Sequence, residues 1–178
     1  MSGLRGRADP TRDGVAARIP PRAQQSLLDR LIDDSPESAQ DEVLSPAATL
    51  AKLRQSVRRD IEALLNARRR WRSWPPALAG LAVSPLSYGI PDCTGGMFHG
   101  NAELETLRRD IEDTIRRFEP RFRSVRVTLF GGDEKKEATL RFRIEALLHA
   151  EPAPEPIAFD TVMDRTTADV VVLTHEDN

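Results

Sequence analysis

The chain has 178 residues, and its 26 basic and 28 acidic side chains give a formal net charge of -2. That balance argues against non-specific nucleic-acid binding, which needs a basic field and counterion release. Cys93 is the single cysteine, so no intrachain disulfide can form, and no apolar run reaches the roughly 18 residues of a membrane helix.

The opening "MSGLRGRADPTRDGVAARIPPR" has arginines but no apolar stretch behind them, so it is not a Sec-type signal. With the single cysteine, this reads as a cytosolic protein. Residues 1–22 hold too little apolar surface to offset the entropy of ordering and are expected to form a flexible tail. Residues 23–175 are expected to form one domain.

In "AQQSLLDRLID", Leu27, Leu28, Leu31 and Ile32 recur at helical spacing and predict a short amphipathic helix. The polar stretch "DSPESAQDEVL" reads as a loop. Ser45 is then a natural N-cap and Pro46 suits the first helical position. Leu50, Leu53, Val57, Ile61, Leu64 and Leu65 follow at steps of three and four. They predict the longest helix of the chain, about 24 residues, with Arg68, Arg69 and Arg70 at its C-terminal end, where the dipole favours cations. The stretch "WPPALAGLAVSPLSYGIPDCTGGMFHG" is cut by Pro and Gly yet rich in Leu, Val and Ile. It predicts a long ordered connection pinned to the core, with a helical turn near its start. Asn101 can cap a second strong helix, in which Leu104, Leu107, Ile111, Ile115 and Phe118 form a narrow seam.

The period then changes to two. Val125, Val127 and Leu129 alternate with polar residues, as do Leu140, Phe142, Ile144, Ala146 and Leu148, and "GGDEKKE" lies between. This predicts an antiparallel hairpin with one buried face and with Arg126, Arg141, Arg143 and Glu145 facing water. "IAFDTVMD" and "ADVVVL" supply a third and fourth strand. Helices followed by strands predict an α+β fold, with N-terminal helices packed on one face of a mainly antiparallel sheet of about four strands.

Few residues suggest chemistry. His99, His149 and His175 are scattered, Cys93 has no paired ligand, and neither CxxC nor HExxH occurs, so no metal or cofactor is expected. No GxSxG elbow or phosphate-binding motif is present. The carboxylates of the second helix read as a solvated face, except Glu119, which is locked by Pro120 at the change from helix to strand. Arg121, two residues on, is its expected partner, and an arginine lowers a carboxylate's pKa where a general acid needs the reverse. No catalytic residue is therefore expected. In "ARRRWRSW", Arg68, Arg69, Arg70 and Arg72 flank Trp71 and Trp74. Such a cluster can end a helix with tryptophans on the core, form a protein-binding hot spot, or stack on bases, and the acidic net charge disfavours the last.

Three stretches in series, "SVRRDIEALLNARRR", "SPLSYGIPD" and "FEPRFRSVRV", followed by a hairpin, resemble the TssE family of type VI secretion baseplate proteins. These are relatives of contractile-tail wedge proteins often labelled lysozyme-like. The likeness covers roughly residues 24–174. It implies an assembly part rather than an enzyme, placed in the cytoplasm at the baseplate on the inner membrane. TssF, TssG and TssK would be its wedge partners, and its sheet would dock the sheath subunits TssB and TssC by strand edges. It also implies that Glu119, Pro120 and Arg121 contact the neighbouring wedge protein, and Arg68, Arg69, Arg70 and Trp71 are further candidates for a protein contact. The lysozyme label leaves a peptidoglycan-cleaving hydrolase as the alternative.

Overall fold

The computed structural model describes residues 26–32, 36–37, 45–69, 75–92, 100–130, 139–150 and 153–174. The expected tail, and Arg70, Trp71, Cys93 and His99, lie outside them. In chain order the elements are α1 (Leu27–Leu31), α2 (Pro46–Asn66), β1 (Arg68–Arg69), β2 (Ile90–Pro91), α3 (Asn101–Phe118), β3 (Phe122–Phe130), β4 (Thr139–Leu148), β5 (Glu155–Asp164) and β6 (Val170–Thr174). Two 3₁₀ stretches, Pro76–Val83 and Pro85–Ser87, fill part of the connection between β1 and β2.

β3 to β6 form one antiparallel sheet in sequential order, with β3 and β6 at its edges. The pairs Val127↔Ile144 and Ile144↔Phe159 put the alternating apolar residues on a single face. α2 and α3 cover that face. Leu53, Val57, Ile61, Leu64 and Leu65 from α2 meet Leu104, Leu107, Ile111 and Ile115 from α3 in one core over the sheet. The α+β fold is as the periodicities predict. On the opposite face Arg126, Arg141 and Glu145 are exposed. Arg143 is bonded there to Asp160 at 2.7 and 3.1 Å and stacks 5.2 Å from the Phe130 ring.

The two helices are also tied to opposite edges of the sheet. The bond from Asp164 N–H to the Asp169 carbonyl, 2.9 Å, turns the odd-numbered residues around β6 towards β5. Val170 and Val172 therefore turn their main-chain groups outwards. Asn66 binds both groups of Val170, at 2.8 and 2.9 Å. Glu62 accepts the Val172 N–H at 3.0 Å, and Arg58 donates to its carbonyl at 3.0 Å. Residues 58, 62 and 66 share one helix face, so α2 lies along β6. On the far edge α3 does the same more sparingly. Glu112 accepts the Val127 N–H at 3.1 Å and Arg108 donates to its carbonyl at 3.2 Å.

Several expectations need correction. α2 is 21 residues long, not about 24, because Arg68 and Arg69 leave the helix to pair in parallel with Ile90 and Pro91. Gly89 makes that approach possible. Its φ is +100°, and a Cβ there would lie 2.4 Å from the Ala67 carbonyl oxygen. α3 is preceded by Gly100, not capped by Asn101, and Glu103 reaches back to the Gly100 N–H at 2.6 Å. α1 spans five residues, and its apolar stripe does not pack. Leu27, Leu28 and Leu31 are 64–80% exposed. The connection is pinned to the core mainly through Ser87 and Ile90, while Leu78, Val83 and Leu86 face solvent. β5 begins at Glu155, two residues before Ile157, and β6 begins at Val170, since Ala168 has a left-handed φ of 60°.

Phe142 sits on the central strand β4 at 1% exposure, beneath both helices. Phe142→Ala should lower the unfolding free energy by about 3–5 kcal/mol in urea titrations. A loss under 1 kcal/mol would mean that the helices do not close over the sheet at that point.

Candidate functional site

The corner between α3 and β3 is built by Pro120. Its ring cannot continue the helix and holds Glu119 at φ −115°, ψ 82°. Glu119 still closes the helix through its N–H to Ile115, 2.9 Å, and its carbonyl accepts the Phe122 N–H at 3.2 Å. The Arg121 carbonyl accepts from His149 N–H at 2.8 Å, fastening the corner to the end of β4. With both sides fixed, the side chains at 119 and 121 return to one place.

There they form a two-pronged pair. Arg121 Nε donates to Glu119 Oε1 at 2.6 Å and Nη2 donates to Oε2. The Arg121 N–H adds a third bond to Oε1 at 3.1 Å. The Glu119 side chain is 5% exposed and that of Arg121 19%. The expected pairing holds, and it is buried rather than superficial. Such a pair is stable only when the remaining donors are also satisfied. α2 satisfies them: Asp60 Oδ2 accepts from Nη2 at 2.6 Å and Ser56 Oγ accepts from Nη1 at 3.2 Å. Burial works against the Arg121 charge, but Glu119 and Asp60 more than offset it and hold its pKa above the ordinary arginine value.

The network continues into α1. Ser56 Oγ donates to Asp29 Oδ2, Arg59 Nη2 donates to Asp29 Oδ1 at 2.7 Å, and Arg59 also binds Asp60 at 3.0 Å. Arg121, Asp60, Arg59, Asp29 and Ser56 thus close a polar ring across three segments. Burial disfavours the Asp29 charge, but hydrogen bonds from Ser26, Ser56 and Arg59 outweigh it and bring its carboxyl down from 3.8 to about 2.

Beside the ring lies a groove of about 500 Å³, lined by Ser26, Asp60, Leu64, Tyr88, Phe118 and the corner itself. Tyr88 meets Phe118 edge to face at 5.4 Å. Burial, with the Asp60 and Glu119 charges, raises its phenol above 10.0. Pro120 is exposed at the rim. Both Glu119 oxygens are already held by Arg121, so the corner orients charge and offers no free acid or base.

Arg68 and Arg69 lie at the far end of α2. Arg68 donates to the Leu65 carbonyl at 2.9 Å and to that of Ala168, closing off the turn before β6. Arg69 pairs with Pro91. Neither joins the corner. Sequence reasoning missed Ser56, Asp60, Arg59 and Asp29. Ser56 and Asp60 are spaced i, i+4 along the flank of the apolar stripe. That spacing was the available signal, but their partners are more than 60 residues away in the chain.

A model of the baseplate wedge protein gp25 family matches residues 51–153. The chain belongs to that family. It is the family to which TssE corresponds, as the three sequence stretches implied. Membership in the gp25 family brings a structural role in a baseplate and contact with other baseplate proteins. The matched span covers most of α2, all of α3 and the β3–β4 hairpin, and so contains the corner and its Ser56 and Asp60 partners. A comparison with curated proteins returned no match. Among the described residues no helix is long and apolar enough to cross a membrane.

Tyr88 is the sole tyrosine, so its phenol can be titrated by near-ultraviolet absorbance alone. The midpoint should lie above 10.0 and fall towards it in Asp60→Asn. An unchanged midpoint in that variant would place Asp60 away from the groove. The Asp29 carboxyl has a folded pKa of about 2 against an ordinary 3.8. Its tie to α2 is therefore complete above pH 3.8 and is lost as pH falls towards 2. Amide protection at Ile32, relative to core Ile115, should drop over that window in the wild type and stay flat in Asp29→Asn. Equal slopes would refute the tie.

Proposed function

We propose that this protein is a structural baseplate component of a type VI secretion system, working in the cytoplasm at the inner membrane. It is not an enzyme. It joins the wedge of TssF, TssG and TssK through the Glu119–Pro120–Arg121 corner. It then templates the contractile sheath by docking TssB and TssC at an edge of its sheet. The observation that carries this reading is the fixed Arg121 at an exposed proline corner, set in a groove walled by Tyr88 and Phe118. A guanidinium already held by Glu119 and Asp60 loses little further freedom when a partner covers it. The exposed leucines of α1 follow directly on Ser26, and the exposed Leu86 lies two residues before Tyr88. Exposed large apolar side chains of that kind suit a protein partner.

Glu119 is buried, so removing it lowers folding stability as well as any docking. The decisive variants are therefore Pro120→Ala and Tyr88→Ala on the groove rim, because Arg121, like Glu119, is tied into the buried network. Each should remain folded by circular dichroism and lose at least tenfold of TssF and TssG in pull-downs from the native host. Wild-type recovery by both would sink the corner as the docking site. Release of fragments from purified peptidoglycan, abolished by Glu119→Gln, would replace the structural reading with a hydrolase.

A further inference from the structure

One wall of the corner groove hangs on a single carboxylate. Ser26, the N-cap of α1, lines that groove beside Asp60, Pro120 and Arg121. Among the described residues the bonds that tie α1 to α2, from Ser56 Oγ and from Arg59 Nη2 at 2.7 Å, both end on Asp29. Apolar packing adds little, since Leu27, Leu28, Leu31 and Ile32 are all exposed. A helix of five residues has little stability of its own. An ion pair to Arg59, itself half exposed, is a weak hold. Arg59 Nη2 also binds Asp60 at 3.0 Å, so it keeps a partner when Asp29 leaves.

The same carboxylate bears on the corner's donors. Ser56 Oγ gives its proton to Asp29 and turns a lone pair to Arg121 Nη1 at 3.2 Å. Among the described residues that is the longest bond of the guanidinium, whose other contacts go to Glu119 and Asp60. Without Asp29 the Ser56 hydroxyl can turn to the carbonyl one helical turn back. Nη1 then loses its acceptor while Glu119 and Asp60 keep the guanidinium in place. What opens is one directed donor at the groove.

We infer that α1 is an autoinhibitory clasp on the corner groove. Closed, it keeps Ser26 in the groove wall and fills the Nη1 donor of Arg121 through Ser56. Open, it yields both to a docking partner. The inference rests on the corner-docking reading above. Partner and clasp compete, so a chain that is closed in most copies binds with an apparent affinity reduced by its open fraction. By linkage, binding at the corner opens α1 by the same factor.

Titration of the full chain with the purified TssF–TssG complex of the same system tests this. Asp29→Asn should bind at least threefold more tightly than the wild type. The Ile32 amide, which bonds the Leu28 carbonyl in α1, should exchange at least threefold faster in the wild-type complex than in the free chain. Unchanged or weaker binding by Asp29→Asn overturns the clasp. So does unchanged or slower exchange at Ile32 in the complex, a measurement that uses the wild type alone and holds even if the variant is unstable. Pro120→Ala separates the two readings. If it abolishes binding while Asp29→Asn changes nothing, the corner docks without a clasp. If it binds as the wild type does, or if no complex forms at all, corner and clasp both fall.

Discussion

The corner between α3 and β3, and the helices that meet there, depend on one guanidinium. Arg121 leaves a proline corner and must bury most of its charge between α2 and the start of the sheet. Taking an ion out of water costs several kcal/mol unless its donors are met. Glu119 meets the charge locally, and Asp60 and Ser56 meet it from a helix about 60 residues earlier. The corner therefore fixes more than its own shape. It sets the rotation of α2 against α3, because only one face of α2 carries Ser56 and Asp60 next to the buried stripe.

The same helix is fixed a second time along its other flank. Arg58, Glu62 and Asn66 hold the β6 edge while Ser56 and Asp60 hold the corner. α2 thus carries two polar margins on either side of one apolar stripe, each bonded to a different part of the chain. Apolar packing alone would leave the helix free to slide or roll by fractions of a turn. The margins remove that freedom, and with it the ambiguity that uniformly apolar interfaces carry.

The fold was legible because its two periods are clean. Steps of three and four in α2 and α3, and steps of two in β3 and β4, set element type and buried face without help. Pro120 announced the corner. What could not be read was long-range and polar. Asp60 looks like any solvated helix carboxylate until Arg121 is brought to it. α1 forms where its leucines recur at helical spacing, yet Asp29 attaches it and the leucines remain in water. Apolar period predicts a helix, but it cannot say whether this chain or another will cover it. Ends were also lost where backbone constraints compete, as at Gly89 and Ala168, whose left-handed dihedrals stop or redirect elements that composition would extend.

α1 also behaves as a separate unit of stability. A five-residue helix cannot hold itself together in water, and here it has almost no apolar anchorage. Its attachment is electrostatic, so it opens at a free energy far below that of the core and weakens with ionic strength. The strip of leucines can consequently be re-presented at many angles while α2, α3 and the sheet stay rigid. A rigid body that carries such a loosely hinged apolar strip can turn it towards a neighbour without disturbing its own core.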